Sequence, residues 1–346
     1  MTSRERLLTA IKRGKPDRVP VAPWGFGALN PQSDLVKELL AKTDPFISVS
    51  IGNPFGNANA EYEVRKEGND TVTILHTPHG DLVERLRKSE VASCRVEFLC
   101  KNADDVHKYL SIPFKPVEPN LDRFHAWRAE VKDEALVVAG TMNAVCLPAT
   151  ILSPEDFCLL WADEPDLMIE LTKVAFERLM IFTEKACRLG VDVFRIIGGE
   201  YVTEQLGPAA VDKLLVPFDT EQIKLMHEYG VIAHYHNHGN MMPFLDALAG
   251  LGIDSLDPLE GPPFGDVLLR EAKERLRGRV CLVGNLDDME VLGKLPEEEI
   301  RKLGRERIEE AGPDGFILGG TSSGTFTEQA ARNFIALVEV AKEMAG

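Results

Sequence analysis

Little in this sequence points to nucleic acid, membrane or nucleotide. Its 39 Lys and Arg are outnumbered by 55 Asp and Glu, for a formal net charge of -16. The basic residues are interspersed with acids, whereas a nucleic-acid or anionic-membrane surface needs them clustered, so neither partner is expected. No apolar run reaches the roughly 18 residues needed to span a bilayer. The opening Met1-Thr2-Ser3-Arg4-Glu5-Arg6 is charged too early for the apolar stretch of a secretory leader, so a cytoplasmic location is expected. Neither G-x-G-x-x-G nor a Gly-rich phosphate loop with its lysine occurs, which lowers nucleotide-dependent readings. The six cysteines show no C-x-x-C spacing and read as reduced, mostly core thiols.

What the chain does have is histidine in one unusual place. Val231 to Gly239 reads V-I-A-H-Y-H-N-H-G, an apolar run that opens into His234, His236 and His238 and stops at glycine. Alternate residues of an extended segment share a face, with Cα atoms about 6 to 7 Å apart, so two of these imidazoles can converge on one metal ion if a carboxylate arrives from a neighbouring element. The next apolar segment, I-D-S-L-D-P-L-E, ends in Glu260. His236, His238 and Glu260 are the candidate metal ligands, with Asp257 as an alternative third ligand and His234 as a supporting or core histidine.

The rest of the chain alternates strand and helix patterns. Strands are expected at 18–24, 46–52, 136–143, 193–200, 231–238, 253–260, 280–287 and 316–323, and helices at 165–189, 211–229, 241–250, 267–277, 297–311 and 328–345. Ser3 is expected to cap a first helix running to Lys15. Eight strands, most followed by a helix and several apolar on both faces, predict a TIM (β/α)8 barrel as a single domain. The stretch 60–101, alternating around Gly68-Asn69-Asp70, reads as a β-hairpin or meander insertion. Barrel active sites lie at strand C-terminal ends. Trp24, Asn143, Asn285 and Ser322 are therefore candidate substrate-binding residues, and Glu200 and Tyr201, after a Gly198-Gly199 pair that would let a ligand approach, are candidates for proton transfer. Asn285 and Asp287 read more readily as caps of the following helix than as substrate ligands.

Several segments together resemble the uroporphyrinogen decarboxylase superfamily: R-E-R-L-L-T-A-I-K-R-G-K-P-D-R-V-P-V near the start, G-G-E-Y followed by L-L-V-P-F, H-N-H-G-N, L-D-P-L-E, L-V-G-N-L-D and I-L-G-G-T-S-S. The resemblance spans almost the whole chain and implies a TIM barrel. That superfamily includes zinc-dependent, corrinoid-linked methyltransferases carrying H-x-C-G-N; here His238 replaces the cysteine, and Thr321-Ser322-Ser323 stands where those enzymes place a further zinc cysteine. Without thiolates the ligand set is harder and less suited to activating a thiol. The resemblance thus implies a demethylase-type enzyme, in which Zn2+ polarises a methoxy-type oxygen and the Co(I) of a separate corrinoid protein takes the methyl group. The decarboxylase itself grips its substrate with an N-terminal arginine pair, which W-G-F-G-A-L-N-P lacks, and Arg195 lies mid-strand. A metal-independent decarboxylase of a smaller acid, or a non-catalytic binding barrel, is the alternative. The oligomeric state is open, with a homodimer allowed.

Overall fold

The computed structural model describes residues 1–27, 29–89, 93–321 and 327–345. Among them run twelve strands: β1 (Val21–Ala22), β2 (Phe46–Ser50), β3 (Glu61–Glu67), β4 (Asp70–His76), β5 (Leu82–Lys88), β6 (Ser93–Glu97), β7 (Leu136–Met142), β8 (Val193–Ile197), β9 (Ile232–Asn237), β10 (Ser255–Pro258), β11 (Cys281–Leu286) and β12 (Phe316–Gly320). Eight form one parallel sheet in the order β1-β12-β11-β10-β9-β8-β7-β2. Its two edges meet, because Trp24 bridges Phe46 in parallel and the Phe46 N–H donates to the Pro23 carbonyl at 3.0 Å. The sheet is closed, as expected for a TIM barrel. Of the two forms expected for the insertion, it takes the meander: β3 to β6 make a separate four-stranded antiparallel sheet in chain order.

Two apolar cores follow from the period-2 alternation of each barrel strand. Outward residues such as Val137, Phe194, Leu256 and Leu318 meet the helices in a large shared core. Inward residues Phe46, Leu136, Val138, Val193, Cys281, Val283 and Ile317 form a smaller one inside the barrel, together with Leu7, Ala10 and Ile11 of the first helix, Ser3–Ile11. That helix is the barrel's floor. Its cap is Thr2, not Ser3: the Thr2 hydroxyl accepts from the Glu5 N–H and Glu5 reaches back to Thr2, a reciprocal box that Ser3 has no partner to make.

Several strands end earlier than the apolar pattern predicts. β8 stops at Ile197 because Gly198 takes φ +115°, and Glu200 instead opens a short helix, Glu200–Thr203. β10 stops at Pro258, leaving Glu260 two residues beyond it. The expected helix at 211–229 is a π-helical turn, Val211–Leu215, leading into the helix Val216–Glu228. No described helix is long and apolar enough to cross a membrane.

Candidate functional site

The barrel interior changes from apolar to polar at one rung. Strand register places Gly140, Arg195, His234, Ser255 and Cys281 side by side, and His236 beside Asp257 one rung higher. All of these inward positions are set by the same alternation that builds the floor. Trp24 lies at the boundary, stacked on Phe46 at 4.4 Å between centroids, and the Arg195 guanidinium lies over its ring at 4.4 Å.

Asp257 is the hub. Fully buried, its Oδ1 lies 2.8 Å from His234 Nε2 and 2.9 Å from His236 Nδ1, and its Oδ2 is 3.7 Å from Arg195. Burial works against its charge, but His236, His234 and Arg195 outweigh burial and hold its pKa well below the usual carboxylate range. His234 is buried too, and burial pushes its pKa down against the pull of Asp257, keeping the ring neutral. It therefore donates from Nε2 to Asp257 and accepts at Nδ1 from the Ser255 hydroxyl, 2.8 Å away. His234 is thus a buried histidine tied to Ser255 and Asp257.

His236 and His238 sit edge to face with ring centroids 4.4 Å apart. Nδ1 of His236 is 2.9 Å from Arg195 Nη2 as well as from Asp257. His238 Nδ1 is 3.0 Å from Glu260 Oε1, while Glu260 Oε2 accepts from the Gly239 N–H at 2.8 Å. The hydrogen bond to Glu260 raises the His238 pKa, more than burial lowers it, and the charge on Glu200 adds to the rise. Burial would raise Glu260, but His238 and the Gly239 N–H pull it below its ordinary value. Each imidazole is thus oriented through Nδ1 by a carboxylate, the arrangement that leaves Nε2 as the coordinating nitrogen in metal sites.

Glu200 is close enough to this pair for its charge to act on His238, whereas Tyr201 packs against the large shared core. Oε2 of Glu200 is buried with no hydrogen-bond partner among the described residues. Burial raises the Tyr201 pKa, so its hydroxyl stays a proton donor at neutral pH. As they stand, no three His, Cys, Asp or Glu side chains among the described residues surround one point as metal ligands. The donor chemistry nonetheless fits a borderline divalent cation: two imidazoles, the Glu260 carboxylate and the orphaned Glu200 oxygen.

The other candidates separate. Asn143 is fully buried on the helix side of the sheet, donating to Asp219 Oδ2 at 3.1 Å and contacting the Tyr235 hydroxyl at 3.3 Å, so it does not face the barrel mouth. Gly198 and Gly199 make room for the protein itself, since a Cβ at Gly198 would fall on Cys146 and Asn143, and one at Gly199 on Asn237 and Tyr235. No ligand need approach there. Trp24 floors the polar zone, its indole N–H buried with no partner among the described residues. Asp287 accepts from the N–H groups of Met289 and Glu290, confirming the cap. Asn285, with Oδ1 buried and unpartnered, lines a cavity of about 410 Å³ that reaches Glu260, Phe264 and Leu303. Ser322 lies outside the described residues. A second cavity, about 210 Å³, opens between β2, β7 and β8 and reaches Arg195. The first is lined by Glu260, which bonds His238, and the second by Arg195, which lies against His236.

Arg195 and the hub role of Asp257 are what sequence reasoning missed. A signal was available: in V-D-V-F-R-I-I, Arg195 alternates with Val193 and Ile197, so it must point into the barrel, where a buried charge requires partners.

Fold and site together define a (β/α)8 barrel with a charged, histidine-rich interior opening at the strand C-termini. The sequence pattern of the uroporphyrinogen decarboxylase (URO-D) family matches residues 90–344, and the chain belongs to that family. Among solved structures, a methyltransferase from Methanosarcina mazei aligns over 100% of both chains at 17% identity with a TM-score of 0.66, a likeness of fold. A B12-independent methionine synthase from Shewanella sp. W3-18-1 aligns over 90% of this chain and 84% of its own at 13% identity, with a TM-score of 0.45. No curated protein sequence matches.

Proposed function

We propose that the protein is a zinc-dependent methyltransferase of the demethylase kind, which passes the methyl group of a small methoxy-type donor to the Co(I) of a separate corrinoid protein. The observation that carries this reading is the His236–His238 pair at the mouth of the barrel, each ring backed by a carboxylate and set beside the unpartnered Glu200 oxygen. Family membership and the shared fold with a methyltransferase support it.

His236 and His238 would hold the metal through Nε2, with Glu200 completing the set, or Glu260 once turned away from His238 Nδ1 and the Gly239 N–H. Bound zinc would supply Lewis-acid polarisation of the oxygen from which the methyl group departs. The chain's own groups do the rest. Asp257 fixes the His236 ring through Nδ1, and the Glu260 bond to His238 does the same one position on. The demethylated oxygen needs one proton, which Tyr201, protonated at neutral pH, or Glu200 would supply.

The test is metal content by plasma emission spectrometry for the wild type and a His236→Ala, His238→Ala double variant. About one zinc per chain in the wild type, lost in the variant, is expected; methyl transfer from methoxy donors to a reduced corrinoid protein would then be followed by its absorbance. Wild-type protein that takes up no metal sinks the reading. Arg195 in the mouth favours a second one, metal-independent decarboxylation of a small acid, which would show turnover in the presence of chelator.

A further inference from the structure

The cavity on the Arg195 side has the chemistry of a site for a small acid. Its walls come from inward positions of three strands: Ser48 and Ser50 of β2, Gly140 and Met142 of β7, and Arg195 and Ile197 of β8. Register puts Ser50, Gly140 and Arg195 on one rung, so the space opposite the guanidinium exists because position 140 has no side chain. Packing does not demand that glycine. An added Cβ would meet Val49 O at 3.6 Å and Ser48 Oγ at 3.7 Å, ordinary contact distances, so the vacancy is a feature of the well and not a relief of crowding.

The polar side chains of this well are three hydroxyls, of Ser48, Ser50 and Thr141, and a guanidinium. In a chain of net charge -16, no Asp or Glu lines it among the described residues. Arg195 is held in place by its neighbours: it stacks over Trp24, and its Nη2 lies 2.9 Å from His236 Nδ1 and 3.7 Å from Asp257 Oδ2, which stands outside the well. Its side chain keeps 17% exposure. A planar guanidinium fixed in orientation pairs best with a planar carboxylate. A volume of about 210 Å³ is below the roughly 300–1,000 Å³ of sites for drug-sized ligands, which limits the guest to a few carbons.

Resting on the methyl-transfer reading, we infer that the methyl donor is itself a small carboxylic acid, its carboxylate seated against Arg195, Ser48 and Ser50 and its methyl-bearing end directed toward His236. Arg195 then touches both the substrate and the imidazole, and substrate charge is what selects the donor.

The experiment is isothermal titration of purified protein, with no corrinoid protein present, using methoxyacetate and its neutral counterpart 2-methoxyethanol. Methoxyacetate is expected to bind at least about tenfold more tightly, the ratio that a single hydrogen bond to a charged group supports. Arg195→Gln should abolish the preference. Gly140→Val, which fills the well on a residue free of backbone strain, should abolish acid binding with the thermal midpoint unchanged, and it decides the matter if Arg195→Gln fails to fold. Equal binding of the two probes, no binding of the acid, or a preference that survives Gly140→Val overturns the inference. Because binding is scored without methyl transfer, a carboxylate preference in a protein that transfers no methyl group would keep the well and discard the chemistry. Methyl transfer from neutral donors with no such preference would do the reverse.

Discussion

Asp257 and Asp219 are both fully buried, and both lie against β9, one on its inner face and one on its outer face. Asp257 faces two imidazoles and a guanidinium, and its pKa is held well below the usual range. Asp219, on the helix Val216–Glu228, meets only neutral donors, the Tyr235 hydroxyl at 2.6 Å and the Asn143 amide at 3.1 Å. Burial pushes its pKa up to about 7, the two hydrogen bonds opposing. The same side chain at the same depth is therefore an anion on one side of a strand and an acid near its midpoint on the other. Burial alone does not decide whether a carboxylate is charged; the charge of its partners does.

The sharpest way to break that comparison is to remove the inner carboxylate. Asp257→Ala strips Arg195 of its counter-charge inside the barrel and should cost about 3–5 kcal/mol, as breaking buried ion pairs does, read as a lowered midpoint in urea unfolding. A loss no larger than that of a neutral hydrogen bond would mean that Asp257 is not the hub. On the outer face, Tyr235→Phe removes a neutral donor from Asp219 and should cost about 1–3 kcal/mol, leaving metal uptake unchanged. If metal is lost, the two faces are coupled after all.

The pH dependence should have opposite signs on the two faces. Asp219 has a folded pKa above its unfolded value, so the stability its proton adds is complete below about pH 4 and is lost as pH rises to about 7. Asp257 has a depressed folded pKa, so its contribution is present above about pH 4 and is lost as pH falls. Thermal midpoints between pH 4 and 8 should therefore show a declining component that Asp219→Asn removes. A slope untouched by that substitution would contradict the assignment. The smallest effect belongs to the half-buried pair at the mouth: Glu260→Gln should lower the His238 pKa, since the bond to Glu260 is the main cause of its rise, and an NMR titration of the ring that shows no downward movement would refute that cause.

The barrel itself was legible because parallel strands buried on both faces leave near-continuous apolar runs, and all eight were placed to within a few residues. Strand ends were less legible. Gly198, for example, reads as room for a ligand when its neighbours are Asn143 and Cys146, two residues from another strand's end. His236, His238 and Glu260 could be grouped by alternation and by the order of strands, and the structure does bring them together. The weight of Arg195 and Asp257 is not legible from their places along the chain, because it comes from lateral register: Arg195 beside His234, and Asp257 beside His236. Register between strands is not written in the period of either one.

The helix that floors the barrel bears on the order of events. With Leu7, Ala10 and Ile11 closing the lower end, the barrel interior is left to open at the C-terminal ends of its strands. If a bulky partner must stand in that opening to collect the methyl group, the small donor has to be inside first and the spent product cannot leave until the partner departs. Kinetics would then be sequential and compulsory in order, with the donor binding first, and product-inhibition patterns showing random order would mean a second way in.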